Sequence, residues 1–192
     1  MNEYTKAARE NLMQAVQMRM SERRFQHVLG VEEAAVALAA RFGASEDKAS
    51  IAALTHDYAK ERPDDEMIMI IKEAGFDPEL LEYGNPIWHG VVGAYLVEKE
   101  LGITDPEILQ AIRLHTTGAA EMSTLDKIIY VADYIEPGRR FPGVEDARAV
   151  ALVDLDEAVA FETKHTLAHL IEMETLVYPK TLETYNRWVA KK

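Results

Sequence analysis

Three times this chain sets an aspartate or asparagine directly before a proline: Asp77-Pro78, Asn85-Pro86 and Asp105-Pro106. Such a side chain accepts the free amides of a helix's first turn, and proline suits the position after it. Ser45 is a further cap, and Ser123-Thr124-Leu125-Asp126 resembles a capping box with Asp in place of the usual Glu. Gly43, Gly75 and Pro137-Gly138 supply stops. Between these signals apolar residues recur at helical spacing, and no segment alternates with a period of two between hairpin turns. The sequence therefore predicts an all-α bundle of short helices. No repeat, low-complexity tract or linker divides it, so residues 1–192 read as a single domain.

The first helix is expected over residues 5–22, with Leu12, Val16 and Met20 inward and a break at Ser21-Glu22-Arg23-Arg24. A second follows to Gly43, burying Val28, Val31, Ala34, Ala35, Leu38 and Phe42, with His27 near its start. The third runs from Ser45 through His56 to Lys60. Met67 to Ile71 mark a fourth, a short one follows Asp77-Pro78, and Asn85 caps the next. Later helices are expected from Asp105 to Leu114, Ser123 to Ile135, Val144 to Leu152, about Asp154 to Thr175, and beyond Tyr178-Pro179 to Trp188.

Composition narrows the chemistry. There are no cysteines, which excludes disulfides, zinc–thiolate sites, iron–sulfur clusters and cysteine nucleophiles. A net charge of −12 argues against a nucleic-acid surface, but not against a phosphorylated small molecule in a locally cationic cleft. Met1-Asn2-Glu3-Tyr4 shows no signal-peptide pattern, and no apolar run approaches the ~20 residues that span a bilayer. A cytoplasmic protein without a membrane partner is expected.

The functional reading centres on Ala53-Leu54-Thr55-His56-Asp57-Tyr58-Ala59-Lys60. On a helix, Lys60 would share a face with His56 and Asp57. Imidazole and carboxylate ligate divalent metals, and a lysine is a point charge suited to phosphate. Partners follow elsewhere: His27 before the pair, then His89, His115 and Asp133, each on a different helix. That is how a bundle builds a metal site. Asp133 stands among Ile128, Ile129, Val131, Ala132 and Ile135, where an unpaired carboxylate is costly, unless it faces outward.

The order His27, His56-Asp57, Asp133 resembles the H…HD…D pattern of the HD-domain phosphohydrolases, and His89 and His115 match the subset with two further histidines. The segments Arg24-Phe25-Gln26-His27-Val28, His115-Thr116-Thr117-Gly118, Ala132-Asp133-Tyr134-Ile135-Glu136-Pro137-Gly138-Arg139 and Val177-Tyr178-Pro179-Lys180-Thr181-Leu182 are similar to the symmetrical bis(5′-nucleosyl)-tetraphosphatases within that family. The resemblance implies an HD-domain helical bundle with a metal held by His27, His56, Asp57 and Asp133, iron being the family's usual ion. It allows a second metal near His89 and His115. It implies nucleotide contacts at Arg24, Asp57, Tyr58, Ala59, Lys60, His89, His115, Thr116, Asp133, Arg139 and the run Leu176, Val177, Tyr178, Pro179, Lys180, Thr181. Asp57, Lys60, His89 and His115 would carry catalysis.

The implied activity is hydrolysis of diadenosine tetraphosphate to two ADP. The competing readings are an HD-domain nucleotidase or phosphodiesterase on another nucleotide, and a non-catalytic nucleotide-binding module. Complete metal ligands favour catalysis, since a binding module has no need of them. Oligomeric state stays open, a homodimer included. His165 and His169 lie four apart on one face, but without a HExxH glutamate they read as ordinary helix residues.

Overall fold

The computed structural model describes residues 6–190. The expected first residue of the opening helix and the Met1–Tyr4 stretch lie outside the described residues. Ten α-helices appear there: α1 Lys6–Gln17, α2 Glu22–Phe42, α3 Glu46–Thr55, α4 Asp64–Glu73, α5 Asn85–Leu101, α6 Pro106–Leu114, α7 Thr124–Ile135, α8 Val144–Ala151, α9 Leu155–Glu172 and α10 Pro179–Trp188. A 3-10 turn, Pro78–Glu82, precedes α5, and no strand occurs among the described residues. No helix among them is long and apolar enough to cross a membrane.

Two starts differ from expectation. Ser21 does not merely break the first helix; its hydroxyl accepts from the Arg24 amide and caps α2, which begins at Glu22. The Glu61 carboxylate takes the Ser21 amide and hydroxyl, fixing this corner, and Met18 to Met20 are left in turns. At α5 the cap is Gly84, at φ +74°, and Asn85 is already helical. The Asn85 amide instead donates to the Lys60 carbonyl at 3.2 Å, tying the start of α5 to the centre of the molecule.

The expected capping box at α7 is present, with Ser123 and Asp126 exchanging bonds of 2.7 and 3.1 Å. Asp126 is fully buried and also accepts from Gln110 of α6. Helix α7 is the axis of the fold. Leu125, Ile128, Ile129, Tyr130, Val131 and Ala132 are buried, and α2, α3, α6, α8 and α9 pack around it. That leaves Asp133 at the C-terminal end of α7, turned toward α2 and α3, where the functional side chains gather.

Candidate active site

Helix α3 is a run of small and apolar residues, Ala49, Ala52, Ala53 and Leu54, all buried. It stops at Thr55 with His56 as its C-cap. The chain then continues in tight turns, Tyr58 amide to Thr55 carbonyl and Lys60 amide to Asp57 carbonyl. Lys60 is therefore not on an α-helical face with His56 and Asp57, as the spacing suggested. This stretch packs on α5, where a Cβ at Gly93 would lie 3.5 Å from that of Ala59, an ordinary contact. The turns still deliver Lys60, whose Nζ lies 3.4 Å from His89 Nδ1.

Four imidazoles surround Asp57, and each has its Nδ1 turned outward. His56 Nδ1 meets the Ala53 carbonyl at 2.7 Å, His89 Nδ1 the Asn85 carbonyl at 2.8 Å, and His115 Nδ1 the Ile112 carbonyl at 2.7 Å. His27 Nδ1 meets Glu136 Oε1 at 3.2 Å. A carbonyl only accepts, so Nδ1 of the first three carries the proton and Nε2 is a lone pair. These Nε2 atoms point inward. His27 Nε2 is 3.1 Å from Asp133 Oδ1 and 3.6 Å from Asp57 Oδ2; His56 Nε2 is 3.5 Å from Asp57 Oδ2. His89 Nε2 lies 3.3 Å from Asp57 Oδ1 and 3.0 Å from His115 Nε2.

Lone pairs and carboxylate oxygens facing one another repel unless a cation sits among them. His27 Nε2 and His56 Nε2 are buried and make no hydrogen bond among the described residues. Three sets have ligand atoms within 4.8 Å of one another: His27-His56-Asp57, His56-His115-Asp133 and Asp57-His89-His115. The donor set is nitrogen and oxygen only, and outer hydrogen bonds fix each ring, so these residues fit a divalent metal. His165 and His169 of α9 join no such set.

Proton affinities follow the same geometry. Burial pushes His89 down from 6.5 to about 3, and His115 beside it adds to the fall. Burial likewise takes His115 to about 4, with His56 lowering it further. Both are neutral at pH 7. Burial works against the charged form of Asp57, but attraction to the protonated form of His56, and then to those of His89 and His115 at the low pH where Asp57 titrates, holds it well below the usual carboxylate range. Asp133 is lowered too, against its own burial, by His27, His56 and Arg139. Burial lowers Lys60, opposed by Asp57.

The HD domain family is matched over residues 24–138, which holds every member of this cluster. The symmetrical bis(5′-nucleosyl)-tetraphosphatase of Bacillus subtilis is 47% identical over 178 residues, covering 93% of this chain and 96% of its own length. That of Staphylococcus aureus is 39% identical over 88% of each. The chain belongs to the HD-domain family, among the symmetrical bis(5′-nucleosyl)-tetraphosphatases. The fold agrees: a crystal structure of a predicted HD superfamily hydrolase involved in NAD metabolism, from Clostridium acetobutylicum, superposes with a TM-score of 0.89 at 37% identity, covering 93% of this chain and 95% of that one.

In this HD-domain protein the pair His56-Asp57 is the middle of the cluster, and two arginines flank it. Arg24 Nη1 donates to Asp57 Oδ2 at 2.9 Å, and Arg139 Nη2 to Asp133 Oδ1 at 2.6 Å. Thr116, next to His115, holds a buried hydroxyl oxygen without a hydrogen bond among the described residues. Tyr58 is not brought to the cluster; its hydroxyl donates to Glu100 and its ring lies under Arg62. Ala59 packs beneath α5.

The run from Leu176 to Thr181 is only partly gathered in. Helix α10 is clamped to the His115-Thr116-Thr117-Gly118 loop through Thr184, which donates to the Thr117 carbonyl, and Trp188, which donates to the Ala119 carbonyl. Gly118 is at φ +61°, and a Cβ there would meet Thr184 at 2.6 Å, so glycine is needed for this contact. Thr181 is buried and Tyr178 stacks edge-on against Tyr83, but Leu176 is exposed.

One functional residue escaped the sequence reading. Glu136 is buried and orients His27. Its Oε2 accepts from the Gly138 amide, and a Cβ at Gly30 would lie 2.5 Å from that oxygen. The signal was present: a glutamate three residues after Asp133, followed by Pro137-Gly138, puts a carboxylate beside a free amide.

Proposed function

We propose that the protein is a metal-dependent phosphoanhydride hydrolase that cleaves diadenosine tetraphosphate between its second and third phosphates, releasing two ADP. The observation that carries this reading is the cluster itself: inward imidazole lone pairs and two ionised carboxylates, with Lys60, Arg24 and Arg139 at its edge. The relatives that share most of the chain carry the name of that activity. His27, His56, Asp57 and Asp133 would hold the principal ion, which the family resemblance makes iron. Asp57, His89 and His115 would take a second. One domain over residues 1–192, a cytoplasmic location and a homodimer are readings of the same kind, resting on sequence and family.

A divalent ion bound there supplies Lewis acidity to water and to a phosphoryl oxygen. The chain supplies the rest. Lys60 has no carboxylate partner among the described residues, so its charge is free for the phosphate chain. Arg24 and Arg139 present guanidinium groups beside the carboxylates they hold, and guanidinium matches phosphate oxygens in pairs. The Thr116 hydroxyl is a donor for one more oxygen. Water's oxygen ends on one ADP and the bridging oxygen stays with the other.

Chelator-treated protein should lose hydrolysis of diadenosine tetraphosphate and regain it with a divalent transition metal. Asp57→Ala should lose both tightly bound metal and activity. Full activity without metal would overturn the reading.

A further inference from the structure

Asp57 divides the cluster into two ends. Its Oδ1 faces His89 and His115, on the side of Lys60; its Oδ2 faces His27, His56 and Arg24. At the His27 end opens a cavity of about 850 Å³, within the range of small-molecule sites. Arg23, Arg24, Arg139 and Arg140 all line it, in a chain of net charge −12. Arg24 and Arg139 are engaged by Asp57 and Asp133. Arg23 and Arg140 have no carboxylate partner among the described residues, and Arg140 rests on the Pro137 and Arg139 carbonyls. Of the acids on the wall, Glu136 is turned to His27 and Gly138, and Glu61 to Ser21; Glu33 is exposed. The cavity is therefore a cationic recess continuous with the cluster through His27.

Its wall also carries an aromatic ring. Phe141 is partly buried and backed by Tyr134, ring centroids 4.8 Å apart. An aromatic face beside arginines suits a nucleotide, since bases stack on such rings and guanidinium grips phosphate. A substrate cut at its midpoint has an identical nucleotide on each side of the reacting bond, so one half must leave the cluster at each end.

Resting on the activity proposed above, we infer that this cavity seats the second ADP half of the substrate, with its base on Phe141 and its phosphates on Arg23 and Arg140. At the His89 end, Lys60 and the Thr116 hydroxyl are the groups that could meet the phosphates of the other half.

The test compares two substrates that share the phosphate chain and differ in the second nucleoside. Diadenosine tetraphosphate plus water gives two ADP; adenosine 5′-tetraphosphate plus water, cut at the same bond, gives ADP and pyrophosphate. The parent protein should prefer the dinucleotide in kcat/KM. Phe141→Leu, which keeps an apolar contact to Tyr134, should reduce that preference on the order of tenfold, the usual loss of a base–aromatic stack. Arg140→Gln should raise KM for both substrates alike. Melting temperature and metal content of each variant report whether it folds. A folded Phe141→Leu protein that keeps the parent preference overturns the seat while leaving the activity standing. A parent protein that leaves diadenosine tetraphosphate intact overturns the activity, and the seat with it.

Discussion

Lys60 is a partly buried ammonium whose neighbours within reach are imidazole nitrogens, not carboxylates. Burial pulls its pKa down while Asp57 resists. A charge held this way acts on whatever anion enters the cluster, more strongly than it would in water. Lys60→Ala should keep the bound metal and lower kcat/KM for diadenosine tetraphosphate, on the order of a hundredfold by analogy with removal of one preorganised donor. Metal analysis with steady-state kinetics reads both, and a variant as fast as the parent would remove Lys60 from the mechanism. Residue identities were legible in the sequence here, because histidine, aspartate and lysine announce their chemistry. Their local geometry was not. Lys60 reaches the cluster through tight turns after α3, and Tyr58, its near neighbour, is carried away to Glu100. Glu136 was hidden for the same reason: nothing local says that α2 passes close enough for His27 to meet it.

At the scale of elements, α7 does most to hold the site, since it carries Asp133 and is packed on several sides. Its start depends on the reciprocal Ser123–Asp126 bonds. Losing a helix cap of this kind costs about 1 kcal/mol. Ser123→Ala should therefore lower the unfolding free energy by roughly that amount, measured by chemical denaturation, with kcat/KM nearly unchanged because the cap is remote from the cluster. No loss of stability would mean that the buried Asp126, held also by Gln110, does the capping alone. This box and the stops at Gly43 and Pro137-Gly138 were readable, because capping is decided within four or five residues. The start of α5 was misread by one residue because Asn85 is claimed by Lys60, a partner 25 positions away. The same limit applies to α2, whose Ser21 cap is shared with Glu61.

For the whole molecule, burying neutral imidazoles couples stability to pH. His89 and His115 fall from 6.5 to about 3 and about 4 in the folded chain. Below 6.5 the unfolded chain takes up protons that the folded chain refuses, so the stabilisation is complete above that pH and is lost as pH falls toward 4. Chelator-treated protein should show a melting temperature that drops between pH 6.5 and 4, and a His89→Gln, His115→Gln double variant should drop less. Equal slopes would mean the two rings are not held neutral. The central claim is that the cluster and its two flanks measure the substrate to its midpoint, since holding the reacting bond in register governs rate strongly. The direct measurement is hydrolysis in ¹⁸O-labelled water with separation of the products. Diadenosine tetraphosphate should yield two ADP with one labelled oxygen between them, and the pentaphosphate should yield ADP and ATP. ATP together with AMP from the tetraphosphate would contradict the account.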